Sequence, residues 1–305
     1  MPSYSLVRFE TENGPRAGLL VDGKVIDAAE ATGNPSYGSM KAILNDWSSA
    51  EKALEKAFAD GGLAGRGVAV AQARLLAPID DPAGIFCIGS NYRDHALSIA
   101  KALGMEPEPD PHTLGLKPWF FLKTAHAVAA PGQAVEMSGE KMDWEAELAA
   151  VIGRPARNVS IEDALSYVAA YTIANDLSAR DRAMRPKVRE GSPFRPDWVA
   201  QKNFDHSCPI GPALVPASVV GDPQKLPIRL WVNNELKQDS NTDQMIFLIA
   251  EQIAHLSSLI TLRPGDVVLT GTPAGTGAES KTFLNRGDVI RVEVGGLGEL
   301  TTPVK

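Results

Sequence analysis

Two glutamates one residue apart, Glu145 and Glu147 in the run MDWEAELAAVIG (142–153), have a spacing that suggests chemistry. On a β-strand, side chains at i and i+2 leave the same face, with Cα atoms roughly 6.5–7 Å apart. Both carboxylates could then converge on one point. Carboxylates held that close repel, so a Lys or Arg, a shared proton or a metal ion must lie between them. An all-oxygen ligand set favours a hard cation, Mg2+ or Mn2+. A lone E-x-E is more often a strand face solvated by water. A third carboxylate shifts that balance: Asp176, in YTIANDLSARD, stands where an apolar strand turns out of a sheet. Asn-Asp in such a place also serves as a plain turn or helix cap. Asp143 shares the face of the pair one step earlier, and simple solvation would account for it.

The elements that must position these groups are mainly strands. Short strand patterns at 3–9, 17–21 and 24–28, separated by the turns NGPR and DGK, are followed by helical spacing over 39–60 that ends at Gly61-Gly62. This predicts a small N-terminal α+β domain, residues 1–75. A larger β-rich domain, 76–305, opens with a Pro-bounded turn and the apolar strand 85–88. Further strand signals lie at 119–122, 144–152, 168–174, 228–233, 267–270 and 288–294. Ser160 to Asp163 reads as a capping box, and 243–259 carries one apolar helical stripe. The fold class is mainly β (α+β).

Composition narrows the function classes. With 305 residues the chain can bury a large core. The balance of 30 basic against 37 acidic residues argues against non-specific nucleic-acid binding. Cys87 and Cys208 lie in no zinc or disulfide pattern and read as buried structural thiols. Neither a signal-peptide pattern nor a run long enough to span a bilayer is present, so a soluble cytoplasmic protein is expected.

Six motifs occur together in order: GSNYRDH (89–95), FLKT (121–124), DWEAELAAVIG, NDLSARD, KNFDHSCPIGP (202–212) and GDVVLTGTPAG (265–275). Each is weak alone. As a set covering most of residues 80–295, they resemble the fumarylacetoacetate hydrolase family. The resemblance implies a β-rich roll, a homodimer, and Mg2+ or Mn2+ held by Glu145, Glu147 and Asp176. It also implies that His95 is a general base acting on water, a role that suits the imidazole side chain as a residue type. Arg180 and Lys202, in a basic stretch that is otherwise an ordinary solvated loop, would bind an anionic carboxylate or oxyanion. Lys123, Thr272 and Tyr92 match further active-site positions. His112, His126, His206 and His255 read as structural.

Two departures stand out. Many members carry a Glu three residues after the catalytic His, where this chain has Ser98; Glu106 or Glu108 in the Pro-rich stretch could replace it. Ala183 stands where several members have a substrate-binding Gln. The stretches 104–118 and 183–200 should shape the distal end of the pocket. The resemblance implies a metal-dependent hydrolase that cleaves a C–C bond in an acylpyruvate- or fumarylpyruvate-type acid. The same site could instead serve a 2-oxo acid decarboxylase or a keto–enol tautomerase. A non-catalytic binding role is the third reading.

Overall fold

A computed structural model describes residues 4–63 and 65–305. Its frame is a sheet with twelve strands among the described residues. Six of its strands are Cys208–Pro216, Val168–Asn175, Ala146–Ile152, Val267–Leu269, Ile85–Ile88 and Phe120–Lys123, in that spatial order, the last at the sheet edge. Ser5–Thr11 pairs antiparallel with Cys208–Pro216 through Leu6 and Leu214, so the N-terminal strands extend the same sheet. A second, four-stranded sheet runs Glu235–Asn241, Pro227–Val232, Val289–Val294, Gly298–Pro303.

The continuous apolar run Ala149-Ala150-Val151-Ile152 follows from where its strand lies. Leu148, Ala150 and Ile152 face a core shared with Leu230 and Ile290 of the smaller sheet and Ile253 of the helix Ile249–Leu259. Ala149 and Val151 face the opposite core, with Leu19, Ile43 and Leu54 of the N-terminal part. A strand buried on both faces has no solvated side, so every position must be apolar or satisfied. The carboxylates appear only at the end of this strand, where the ladder stops.

Three expectations need correction. The helix expected over 39–60 is two, Met40–Asn45 and Trp47–Ala59, broken at Asp46, whose carboxylate accepts from the Tyr37 hydroxyl at 2.8 Å. The helix expected over 243–259 begins only at Ile249. Just before it, Asn91 Oδ1 accepts from Phe247 N at 2.8 Å, while Asn91 Nδ2 donates to Phe247 O at 3.0 Å and Thr270 O at 2.9 Å. That clamp replaces the helical bonds which residue 247 would otherwise make. Asn91 is buried, so Asn91→Ala leaves Phe247 N and Thr270 O without this partner, while Phe247 O keeps its bond from Gln252 Nε2; a loss of about 2–4 kcal/mol in unfolding free energy by urea titration is expected. Finally, the strand expected over 144–152 is interrupted. Met142–Asp143 pairs with Ser178–Ala179, and the main strand resumes only at Ala146.

Candidate active site and metal centre

The interruption at Trp144-Glu145 aims the carboxylates. Glu145 N donates to Asn175 Oδ1 at 3.0 Å, Asp176 N donates to Glu145 O at 2.9 Å, and Ala146 N donates to Gln238 Oε1 at 2.9 Å. The two strand ends are thereby held side by side with their acids on one side. Trp144, Ala146 and Leu148 lie in the core behind them, as the alternation predicts. Glu145, Glu147 and Asp176 are all buried, and each offers an oxygen within 4.8 Å of those of the other two.

Their charges are unequally compensated. Lys202 Nζ donates to Glu145 Oε2 at 2.8 Å and to Asp176 Oδ2 at 2.6 Å. Lys123 Nζ lies 2.9 Å from Asp176 Oδ1. Arg180 donates through Nε to Asp143 Oδ2 at 2.8 Å and through Nη2 to Glu145 Oε1. Burial opposes ionisation of Glu145, yet the Lys202 and Arg180 cations hold its carboxyl far below the usual range. Glu147 has only a backbone donor, Gly271 N, at 2.6 Å. Burial, with Asp176 and Glu145 alongside, pushes its carboxyl up. A buried carboxylate without a cation, beside two more hard oxygen ligands, is a donor set that fits a divalent ion. Glu145, Glu147 and Asp176 are therefore the residues that could hold Mg2+ or Mn2+.

Asp143 is not solvated. Besides Arg180, it accepts from Gly277 N at 2.6 Å and Ala278 N at 3.0 Å. Gly277 permits this, because a Cβ there would stand 2.7 Å from Asp143 Oδ1 and 2.1 Å from Thr282 O. Asp143 thus fixes Arg180 and the start of the short helix Gly277–Ser280.

That helix supplies the acid left open by Ser98. His95 Nδ1 lies 2.6 Å from Glu279 Oε1, and Ser98 Oγ donates to Glu279 Oε2. Glu279 also accepts from Gly275 N at 2.9 Å and closes a capping box with Thr276. Burial raises the Glu279 carboxyl, but the hydrogen bonds from His95, Ser98 and Gly275 outweigh it and hold the group at about 2. An ionised Glu279 accepts the Nδ1 proton's hydrogen bond, which leaves the Nε2 lone pair free. Glu106 and Glu108, the acids considered from the sequence, are exposed, and neither forms a hydrogen bond or ion pair with His95. The spacing Thr276-x-x-Glu279 was the signal that could have revealed this partner. Because Glu279 sits below its ordinary value of 4.5, it stabilises the fold fully above that pH. The contribution fades as pH falls through about 2. The gap in melting temperature between wild type and Glu279→Gln should therefore close in acid, as pH falls towards about 2.

A cavity of about 120 Å3 joins His95, Glu145, Glu147, Arg180, Lys202 and Thr272. Its remaining wall includes Ser90, Gln201 and the aromatic cluster Trp119, Phe121 and Trp198, none of which the sequence singled out. Phe121 stacks on Trp198 with ring centroids 5.5 Å apart, and Lys202 Nζ lies 4.9 Å from the Phe121 centroid. The cavity amide is Gln201, whereas Ala183 lies off the wall. Thr272 Oγ1 is oriented by Gln238 Nε2 at 2.9 Å.

Three expected site residues do not line the cavity: Lys123, Tyr92 and Asp176, whose carboxylate nevertheless lies within 4.8 Å of those of Glu145 and Glu147. Lys123 is fully buried behind Asp176, its ammonium ringed by the carbonyls of Leu177, Lys202 and Ser207. It positions Asp176 and touches nothing in the open space. Tyr92 is fully buried in the core, and its hydroxyl has no hydrogen-bond partner. The other four histidines also lie away from the cavity wall.

A mixed β-roll with a buried carboxylate cluster facing a His–Glu pair defines the class: enzymes of the fumarylacetoacetate hydrolase type. Residues 84–305 match the model of the fumarylacetoacetate (FAA) hydrolase C-terminal domain, and the chain belongs to that family. It is 44% identical to the mitochondrial oxaloacetate tautomerase fahd2 of Xenopus laevis over 234 residues, 75% of this chain and 68% of the relative. It is 34% identical to a fumarylacetoacetate hydrolase domain-containing protein 2 homolog of Dictyostelium discoideum, over 99% of both chains. The structure superposes with a TM-score of 0.73 on maleylpyruvate hydrolase from Sphingobium sp. SYK-6 in complex with manganese(II) and pyruvate. That pair is 28% identical, with 98% of each chain covered.

Proposed function

We propose that this chain is a divalent-metal-dependent hydrolase that cleaves the C–C bond of an acylpyruvate-type acid. The observation that carries the reading is the His95–Glu279 pair, which sets a basic imidazole nitrogen on the same cavity as Glu145 and Glu147, with Asp176 clustered against them. A metal held by Glu145, Glu147 and Asp176 would supply Lewis-acid stabilisation of negative charge on the 2-oxo acid oxygens. Arg180 lines the same cavity, and its Nη1 makes no hydrogen bond among the described residues, so it can receive the substrate carboxylate. His95 Nε2 takes a proton from water, and the resulting hydroxide adds to the distal carbonyl. The C–C bond then breaks, its electron pair passing to the pyruvyl carbon. The proton held on His95 returns to that carbon, releasing pyruvate and the acyl acid. Arg180 and Lys202 restrain the oxygens on which charge develops. The two buried free thiols suit a reducing compartment such as the cytoplasm, and the chain is read as a homodimer.

A second reading is keto–enol tautomerisation of a 2-oxo acid such as oxaloacetate, favoured by the 44% identical relative of that name. It needs the same base but no water. Incubating Mn2+-loaded protein with acetylpyruvate, fumarylpyruvate and oxaloacetate, with products identified by mass, separates the two. Hydrolysis gives two acids, whereas tautomerisation changes the spectrum without a new mass. Enol–keto exchange of oxaloacetate with both diketo acids left intact would overturn the hydrolase reading.

A further inference from the structure

Beside the polar cavity lies a second one of about 580 Å3, and Gly89, Ser90, His95 and Trp119 line both. One wall is the helix Arg93–Leu103, which His95 also occupies; the other is the Pro-rich segment 105–117, closed at its base by Ile246 and Phe247. The helix turns Ala96, Ala100 and Leu103 to this space, and the facing segment contributes Met105, Leu114 and Leu116. Leu103, Met105, Leu114 and Leu116 are each more than half exposed, which is costly for aliphatic side chains unless something covers them.

The junction between the two cavities is built closely. Trp119 lies directly on Gly89, where a Cβ would stand 2.0 Å from the indole, and Gly89 N donates to Trp119 O at 3.2 Å. Ser90, the next residue, adopts φ +51, a left-handed conformation unusual outside glycine. The backbone is thus shaped to let the indole form a wall passing from the polar space to the apolar one, with the catalytic imidazole at the threshold.

We propose that the second cavity receives the distal acyl group of the substrate, and that this group is a long aliphatic or aromatic hydrocarbon without a second carboxylate. The inference rests on the polar cavity being the 2-oxo acid end. That cavity is too small to enclose more than the head of such a molecule, and the adjoining space has the volume and apolar lining typical of a small-molecule site. Charge points the same way. Glu106, Glu108 and Asp110 lie along the outer wall, while of the cations there Arg93 already donates to the Met245 carbonyl at 2.8 Å, leaving Lys117. A substrate with a distal carboxylate would place it in an apolar space rimmed by acids, which desolvation and repulsion both disfavour.

The test uses Mn2+-loaded protein and unreactive ligands, so it does not depend on which reaction occurs. Binding of straight-chain 2-oxo acids from pyruvate to 2-oxooctanoate is measured by calorimetry. Affinity should tighten roughly fourfold per added methylene, the value for burying one CH2 group, and 2-oxopentanoate should bind more tightly than 2-oxopentanedioate. Leu103→Glu, at an exposed position, and Ala100→Trp, which fills the cavity, should flatten the chain-length dependence and leave pyruvate affinity unchanged. A flat dependence in the wild type, or tighter binding of the dicarboxylate, would overturn the proposal even if acylpyruvates are hydrolysed. A steep dependence with no hydrolysis would leave it standing and remove the hydrolase reading. Failure of pyruvate to bind would overturn the head-group assignment and this proposal with it. Leu103→Glu converting a dimer to a monomer, with flat binding, would instead identify the apolar wall as a subunit contact.

Discussion

Glu279→Gln should lower kcat roughly 100- to 10,000-fold on whichever acid the enzyme turns over, the range that a positioned general base contributes. Affinity for Mn2+ should stay within a factor of two or so. The amide keeps the shape of the side chain and can still accept from Ser98 and from Gly275 N. It cannot stabilise the imidazolium that forms when His95 takes a proton. Glu279 touches the reaction only through His95, so a restoring substitution is the sharper check. Ser98 lies one helical turn beyond His95 and its hydroxyl already reaches the Glu279 carboxylate, so a carboxylate at position 98 can reach the ring as well. The double variant Glu279→Gln, Ser98→Glu should recover a substantial part of kcat. Full turnover by Glu279→Gln alone would show that the imidazole works without this acid.

Glu147→Gln should behave differently from Glu145→Gln although the two glutamates are two residues apart. Glu147 is a buried carboxyl with no cation, pushed towards its neutral form, so an isosteric neutral amide costs the metal-free fold no ion pair. The metal-free variant should be at least as heat-stable as the metal-free wild type. At the same time the stabilisation that saturating Mn2+ gives the wild type, about 2.7 kcal/mol at one hundred times Kd, should vanish. Glu145 is held by both Lys202 and Arg180. Its replacement by Gln takes one charged partner from each cation, leaving Lys202 with Asp176 and Arg180 with Asp143, and should destabilise the metal-free protein by about 1–3 kcal/mol. Thermal melts of the three proteins with and without Mn2+ read both effects. Equal losses in the two metal-free variants would refute this division of roles.

Much of this site was legible in the chain. The i, i+2 spacing of Glu145 and Glu147, and an Asp at the end of a second apolar strand, are local patterns whose geometry the extended backbone dictates. The strands themselves declare their burial, because a run such as Ala149 to Ile152 has no polar position to offer to water. Arg180, Lys202, Thr272 and His95 came from motifs, and the cavity does collect them. The same motifs also contain Tyr92, Lys123 and Asp176, which do not line it. A motif reports which residues lie near a site, and only packing says whether a side chain faces the open space or supports a neighbour from behind.

What the sequence by itself determined is a set of carboxylates on strands that must be buried, within a β-rich family architecture. Tertiary structure alone decided which charges compensate which. Lys202 and Arg180 satisfy Glu145, Asp143 anchors Arg180, and Glu147 is left without a cation, all through contacts between segments far apart in the chain. It also decided the partner of His95. Glu279 lies 184 positions away and does local work as a helix cap, so its pairing with an imidazole depends on how the helix Arg93–Leu103 settles against Gly277–Ser280. Interactions between residues adjacent in sequence are fixed by covalent geometry and can be read directly. Those that close loops of more than a hundred residues exist only once the two cores have formed and set the distances.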